Sequence, residues 1–582
     1  MNNKISNTQP INLRLTVLSL AVIVGLTGCE QSAPREIDEQ QSQANNAAQS
    51  KQNDEQQLEL QVQKRQSKNA ISFAAMPQGM VHESVTMHRP GLQLQLMPPA
   101  PIDDMAFKSE QDRENYLKSQ QNPVKQVGTE PVSTFSIDVD TGSYSNTRRM
   151  LNMGKLPPND AVREEAFINY FDYGYSAPNS IATPFNVHTE MATAPWNEHR
   201  QLLKIGIKGF EIEKADLKAA NLVFLLDVSG SMNAPNKLPL LKTSLTMLTK
   251  QLDENDSVAI VVYAGAAGVV LPATKGNEQQ TISAALDKLA AGGSTNGEQG
   301  IELAYQIAAE NFKKGGINRV ILATDGDFNV GTQSIDKLTE LVASKRKTGI
   351  ALTTLGFGQG NYNDGLMEQL ANIGNGQHAY IDNINEARKV LVDELSSTMQ
   401  IIAKDVKVQV EFNPQQVAEY RLIGYQNRVL ANEDFNNDKV DAAELGAGHS
   451  VTALYEITLA NSDHKQIDEL RYQSKEDKEL ALATSNELAF VKVRYKQPDA
   501  EQSKLITQAV ATPKGELPLS QASQDFKFAA AVAGFAQLLK GAKYIGDWQY
   551  EDCAKLATAN KGIDTFGYRS EFVQLVNNAA AL

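Results

Sequence analysis

The chain has 582 residues, with 55 Lys and Arg against 69 Asp and Glu, for a formal charge of −14. At roughly 100–200 residues per domain, that length implies several domains with room for large buried cores. The acidic balance repels polyanions, so nucleic acid is excluded as an expected partner, and so is adsorption to anionic membrane by charge alone.

In chain order, Lys4 and Arg14 precede an apolar run, Leu15 to Leu26, that ends in Leu26-Thr27-Gly28-Cys29. The run is too short for a spanning helix, which needs about 20 apolar residues. Small residues beside a Cys at the end of a short apolar region resemble the bacterial lipoprotein signal. The resemblance implies that residues 1–28 are removed, that Cys29 is lipidated, and that the chain is held to a membrane facing the periplasm. It also implies that Glu30, not being Asp, leaves outer-membrane sorting open, so the outer membrane is expected over the inner. Cys553 is the one other cysteine. No disulfide within the mature chain is therefore expected, and Cys553, in the helix-like "YEDCAKLA", reads as a small buried residue rather than a nucleophile.

Residues 29–130 read as a low-complexity tether: Glu30 to about Lys68 is Gln, Asn, Ser and charge, too poor in apolar residues to offset chain entropy. One short helix is expected near Glu110 to Ser119. Residues 131–215 form a globular N-terminal flank. In residues 216–400 strands and helices alternate. Strands are expected at Val223–Asp227, Val258–Tyr263, Val320–Ala323, Ala351–Leu355 and Ala379–Ile381, with a short one at Val269–Leu271. Leu238, Leu241, Leu245, Leu248 and Leu252 share one helical face, and further helices are expected near Gln279–Leu289, Glu298–Phe312, Ile335–Lys345 and Leu366–Ile373. Near-continuous apolar strands between amphipathic helices predict an α/β fold, a doubly wound, mostly parallel sheet with ligands beyond the carboxyl ends of its strands. In residues 401–582 the period becomes two, with Val406, Val408, Val410 and Phe412 alternating with polar residues, which predicts a β-rich, sandwich-like domain; Phe526–Leu539 and Tyr550–Ala559 return to helix. Strands near Leu202–Ile207 and from Val406 onward are both unpaired locally, so one sandwich built from both flanks, with the α/β domain inserted, is a further expectation.

Asp227-Val228-Ser229-Gly230-Ser231 stands at the carboxyl end of the first strand of the α/β region, Thr295 lies in the loop "AGGSTNGEQG", and Asp325 ends another strand in "VILATDGDFN". All are hard oxygen ligands, suited to Mg²⁺ or another small divalent cation. D-x-S-x-S, a distant Thr and a T-D-G Asp in this order resemble the von Willebrand factor type A (VWA) domain and its metal-ion-dependent adhesion site. Carried over singly, Asp227, Ser229 and Ser231 match the first motif, Thr295 the second and Asp325 the third. The resemblance covers roughly Asn221 to Met399 and implies a metal that binds an acidic residue of a protein partner, with no reaction catalysed. The flanking "TFSIDVDTGSYSNTRRMLNMGKLPPNDAVREEAFINYF" and "FKFAAAVAGFAQLLKG" resemble bacterial VWA-domain lipoproteins whose flanks carry no assigned activity. Service as a scaffold or ion-transport subunit is the alternative. The bland reading of Ser229 and Ser231 is that they cap the helix that follows.

A second acidic stretch, "FSIDVDTGSYS" at Phe135 to Ser145, offers Asp138 and Asp140 as hydrolase carboxylates. Asp140-Thr141-Gly142-Ser143 lacks the second D-[TS]-G that an aspartic protease needs to share a proton. A phosphatase would want a hydroxyl at Gly142. The plain reading is a helix start, with Thr141 or Ser143 capping and Asp140 favouring the positive end. The seven His show no zinc spacing, and "GFGQGN" at Gly356–Asn361 reads as a turn.

Overall fold

The computed structural model describes residues 113–294, 297–326, 332–468, 486–515 and 517–582. The signal segment, Cys29 and the tether to residue 112 lie outside the described residues, as does Thr295.

Strand Ala220–Asp227 is buried at every position, which explains why it reads as a continuous apolar run rather than an alternation. It lies inside a six-stranded sheet ordered His378–Ile381, Ala351–Phe357, Ile317–Thr324, Ala220–Asp227, Ser257–Tyr263, Ala267–Lys275. All neighbours are parallel except the last pair. That antiparallel edge strand is longer than the expected Val269–Leu271. Helix Leu238–Thr249 puts Leu238, Leu241, Leu245 and Leu248 on one face of the sheet, beside Ile282 and Leu286 of helix Gln279–Asp287. On the other face, Ile301 and Tyr305 of Gly297–Glu310, Leu338 and Val342 of Thr332–Arg346, and Leu366 and Leu370 of Asp364–Ile373 cover Val223 and Leu225. The sheet is thus doubly wound, as the sequence predicts.

Two antiparallel sheets make the sandwich. Val406, Val408, Val410 and Phe412 of strand Ile401–Phe412 meet Leu203, Ile205 and Ile207 of strand Asn197–Gly209 in one core. Both flanks contribute to both sheets. Asn197–Gly209 pairs with Ser450–Leu459, Ser450 opposite Lys208, and Val132–Ser136 pairs with Ile401–Phe412, Phe135 opposite Val408. The α/β domain is therefore inserted between Gly209 and Ile401. Its two ends lie side by side: Gly209 donates its N–H to His449 at 2.8 Å, and Ala447 to Gln400 at 2.8 Å. An insertion with adjacent ends adds a domain without unpairing either sheet. The outer face of the Asn197–Gly209 sheet is covered by helix Gln524–Leu539, buried on nearly all sides, with Tyr550–Ala559 and Tyr568–Ala580 behind it.

Two expectations differ: residues 113–130, read as tether, join the folded body, with Lys125–Gln126 paired to strand Val417–Ile423 and Val127 buried in the sandwich core. From Arg113 onward the chain is extended where a helix near Glu110–Ser119 was predicted, because Arg113 and Asn115 donate their N–H groups to Gly360 at 2.8 Å and Tyr362 at 2.9 Å.

Candidate metal centre

Strands Ala220–Asp227 and Ile317–Thr324 run parallel with Leu226 opposite Ala323, so Asp227 and Asp325 emerge side by side at their carboxyl ends. Both carboxylates are fully buried. The Asp227 carboxylate is fixed from two sides: Oδ1 accepts the Ser229 N–H at 2.8 Å, and Oδ2 accepts the Thr324 hydroxyl at 2.9 Å and, more weakly, the Tyr263 hydroxyl at 3.4 Å. Burial pushes its carboxyl above the usual range, the bonds from Ser229 and Thr324 oppose that, and Asp325 adds to it. Two buried acids this close gain from a cation between them.

Ser229 is buried and Ser231 exposed, and their Oγ atoms are 3.0 Å apart. Ligands at right angles about 2.0–2.1 Å from Mg²⁺ stand roughly 2.9 Å from one another, so these hydroxyls have the separation of one edge of an octahedral shell. The capping reading fails for this pair: the residues after Ser229 form one short 3-10 turn, and the Ser229 side chain makes no cap bond. A cation already stands beside Asp325, where Lys237 Nζ lies 2.8 Å from Oδ2. Oxygen donors at shell spacing, around acids that hold a positive charge, fit a small divalent ion. Asp227, Ser229, Ser231 and Asp325 would hold it, supplying a Lewis-acid centre open on the Ser231 side.

Glycines shape the loops. Gly326, at φ +87°, lies where a Cβ would come within 2.4 Å of the Asn363 backbone N, so T-D-G needs its third residue. Gly292 donates to the Val228 carbonyl at 2.8 Å and Gly230 to the Gly293 carbonyl at 3.1 Å, tying the loop that precedes Thr295 to the D-x-S-x-S turn.

Comparison with known proteins agrees with this topology. The family model for the von Willebrand factor type A domain matches residues 221–393, a second von Willebrand factor model matches 110–204, and the model "Uncharacterized protein YfbK, C-terminal" matches 397–582. Uncharacterized protein YfbK of Escherichia coli (strain K12) is 47% identical over 471 residues, covering 80% of each chain. The chain belongs to the YfbK family. Outside it, uncharacterized protein sll0103 of Synechocystis sp. is 28% identical over 196 residues, 34% of this chain and 45% of that one. Inter-alpha-trypsin inhibitor heavy chain H3 of Homo sapiens is 25% identical over 281 residues, 43% of this chain and 30% of that one. The family is thus one of VWA-domain proteins.

The other acidic stretch of this YfbK-family chain is a structural joint. Asp138 accepts the Asp140 N–H at 2.9 Å on one oxygen and Arg428 Nε at 2.9 Å on the other. Asp140 Oδ1 accepts the N–H of His378, the first residue of the outermost parallel strand, at 2.8 Å. The two acids are 2% and 3% exposed, and Asp138 and one Asp140 oxygen are engaged by Arg428 and by backbone N–H groups. Helix Gly142–Asn152 does follow, but Thr141 makes no cap bond, and the Ser143 hydroxyl instead donates to Ala161 at 2.6 Å and accepts the Arg163 N–H at 2.9 Å. The helix start is therefore not capped by Thr141 or Ser143 as expected: it is buried, and the Ser143 hydroxyl bonds to the Ala161–Arg163 backbone instead. Cys553 is buried, with its thiol pushed up to about 12, first by burial, as befits a packing residue.

Sequence reasoning missed Thr324, Tyr263 and Lys237. Thr324 was visible as the residue before Asp325. Lys237 carried a subtler signal, a cation at the positive end of helix Leu238–Thr249, where the helix dipole disfavours it.

Proposed function

We propose that this chain is a lipid-anchored binding protein of the bacterial cell envelope, tethered through Cys29 and facing the periplasm. Its VWA domain holds Mg²⁺ through Asp227, Ser229, Ser231, Thr295 and Asp325 and engages an acidic residue of a protein partner, without catalysing a reaction. The observation that carries this reading is the pair of serine hydroxyls 3.0 Å apart beside two buried carboxylates, with Ser231 exposed. A partner carboxylate arriving from the Ser231 side adds one more hard oxygen, the ligand type such an ion prefers. The sandwich and C-terminal helices act as the rigid mount on which the tether presents this face.

Calorimetric titration of Mg²⁺ into the purified full chain tests the site. Saturable binding that disappears in Asp227→Ala and Ser229→Ala, both still folded, is the expected result. Partner capture indifferent to chelator, together with no heat in the parent, would sink the reading.

A further inference from the structure

The metal site contains a cation of the chain's own. Lys237 precedes helix Leu238–Thr249, and its ammonium reaches Asp325 at 2.8 Å with 9% of the side chain exposed and the Asp325 side chain fully buried. Its path is built for it. Gly358, at φ +77° just past strand Ala351–Phe357, has no side chain, and a Cβ there would come within 2.2 Å of Lys237 Cε and 2.6 Å of Cγ. The Tyr380 hydroxyl bonds the Gly358 carbonyl and fixes that turn. Within the Gly-rich "GFGQGN" segment, Gly358 thus makes room for the aliphatic stem of Lys237. A lysine confined this closely in a buried groove has given up much of its solvation and rotamer freedom, and its ammonium is held by the Asp325 carboxylate.

We propose that Lys237 is a tethered competitor for the divalent ion: its ammonium and the metal contend for Asp325, so that the ion binds only as Lys237 withdraws along the Gly358 groove. This rests on the metal reading of the site. Two consequences follow from simple electrostatics. An ammonium held within a few ångströms of the ion repels it, lowering affinity for the metal alone. Any partner carboxylate that completes the shell adds negative charge and favours the ion over the ammonium, so metal and partner bind together more strongly than either alone. Lys237 therefore makes the site conditional on its partner.

The test titrates Mg²⁺ alone into the full chain, Lys237→Met, Lys237→Gln and Asp227→Ala. Affinity about tenfold or more higher in both Lys237 variants, with none in Asp227→Ala, is expected. Unchanged or weaker affinity in the Lys237 variants, with the parent still binding, overturns the competitor and leaves the metal site standing. No uptake in any protein, including both Lys237 variants, overturns the site and the competitor together. A second readout needs no variant: acetylation of Lys237 in the parent, followed by peptide mass spectrometry, should speed up as Mg²⁺ saturates, and an unchanged rate would also overturn the proposal.

Discussion

Phe135–Ser145 and Val223–Asn233 each run a buried strand into Asp, hydroxyl and Gly residues, yet one becomes a joint and the other a candidate site. In the first, Phe135 pairs within the sandwich while Asp140 holds the His378 N–H of the α/β sheet and Asp138 holds Arg428, so the stretch spans two domains. In the second, the strand is central in a parallel sheet whose carboxyl end leads to loops, and Ser231 faces solvent. Both sets of acids are buried; the first is locked by Arg428 and the His378 backbone, whereas the second lies beside the exposed Ser231. Strand-end acids alone do not identify a site; the neighbours do.

The comparison can be broken most forcefully at the joint. Arg148 of the following helix is buried and donates to Asp382 at 2.8 Å, Glu386 at 2.8 Å and Glu571 at 3.0 Å, linking the end of the parallel sheet to the C-terminal helix. Arg148→Met should lower unfolding free energy by about 3–5 kcal/mol in urea titrations, because it strands buried acids without a cation. A loss below about 1 kcal/mol would show that the joint carries little stability.

A smaller effect is a pH signature. Burial, then Asp138, raises the Asp140 carboxyl from 3.8 to about 7, opposed by Arg428. Between those values the folded state keeps a proton that the unfolded chain has lost. This group's favourable contribution is therefore complete in acid and is lost as pH rises through about 7. Asp140→Asn keeps an acceptor for His378 but cannot ionise. Its stability relative to the parent should improve by on the order of 1–2 kcal/mol between about pH 5 and pH 8. A pH-independent difference in denaturant melts would show that Asp140 is ionised throughout.

The finest contrast pairs two serines. Ser143→Ala removes a buried hydroxyl bonded on both sides, whereas Ser231→Ala removes an exposed one. Thermal melts should show Ser143→Ala the less stable by about 1 kcal/mol. Calorimetry should show the reverse order, with Mg²⁺ binding weakened only in Ser231→Ala. Equal melts for the two variants would erase the distinction between joint and site.

The α/β strands were legible because their burial on both faces writes apolar runs into the sequence, and helices such as Tyr550–Ala559 because amphipathic periodicity is local. Asp227, Ser229, Ser231 and Asp325 were legible through motif order, since each sits at a strand end whose position the pattern already predicts. The pairing of Asn197–Gly209 with Ser450–Leu459 was legible only as an unpaired remainder, because register across an inserted domain leaves no local mark.

By itself, then, the sequence determined which segments are strands and helices, that the middle of the chain is doubly wound, and which oxygens stand at the ends of its central strands. These follow from periodicity and from side chains acting within a few residues of themselves. Tertiary structure alone decided that Asp138 and Asp140 are closed into a joint, that Thr324 orients Asp227, and that Lys237 reaches Asp325 over Gly358. Each of those outcomes depends on a partner 88 or more residues away in the chain, or on one supplied by a neighbouring strand, and contacts of that kind form only once the sheet brings its ends together.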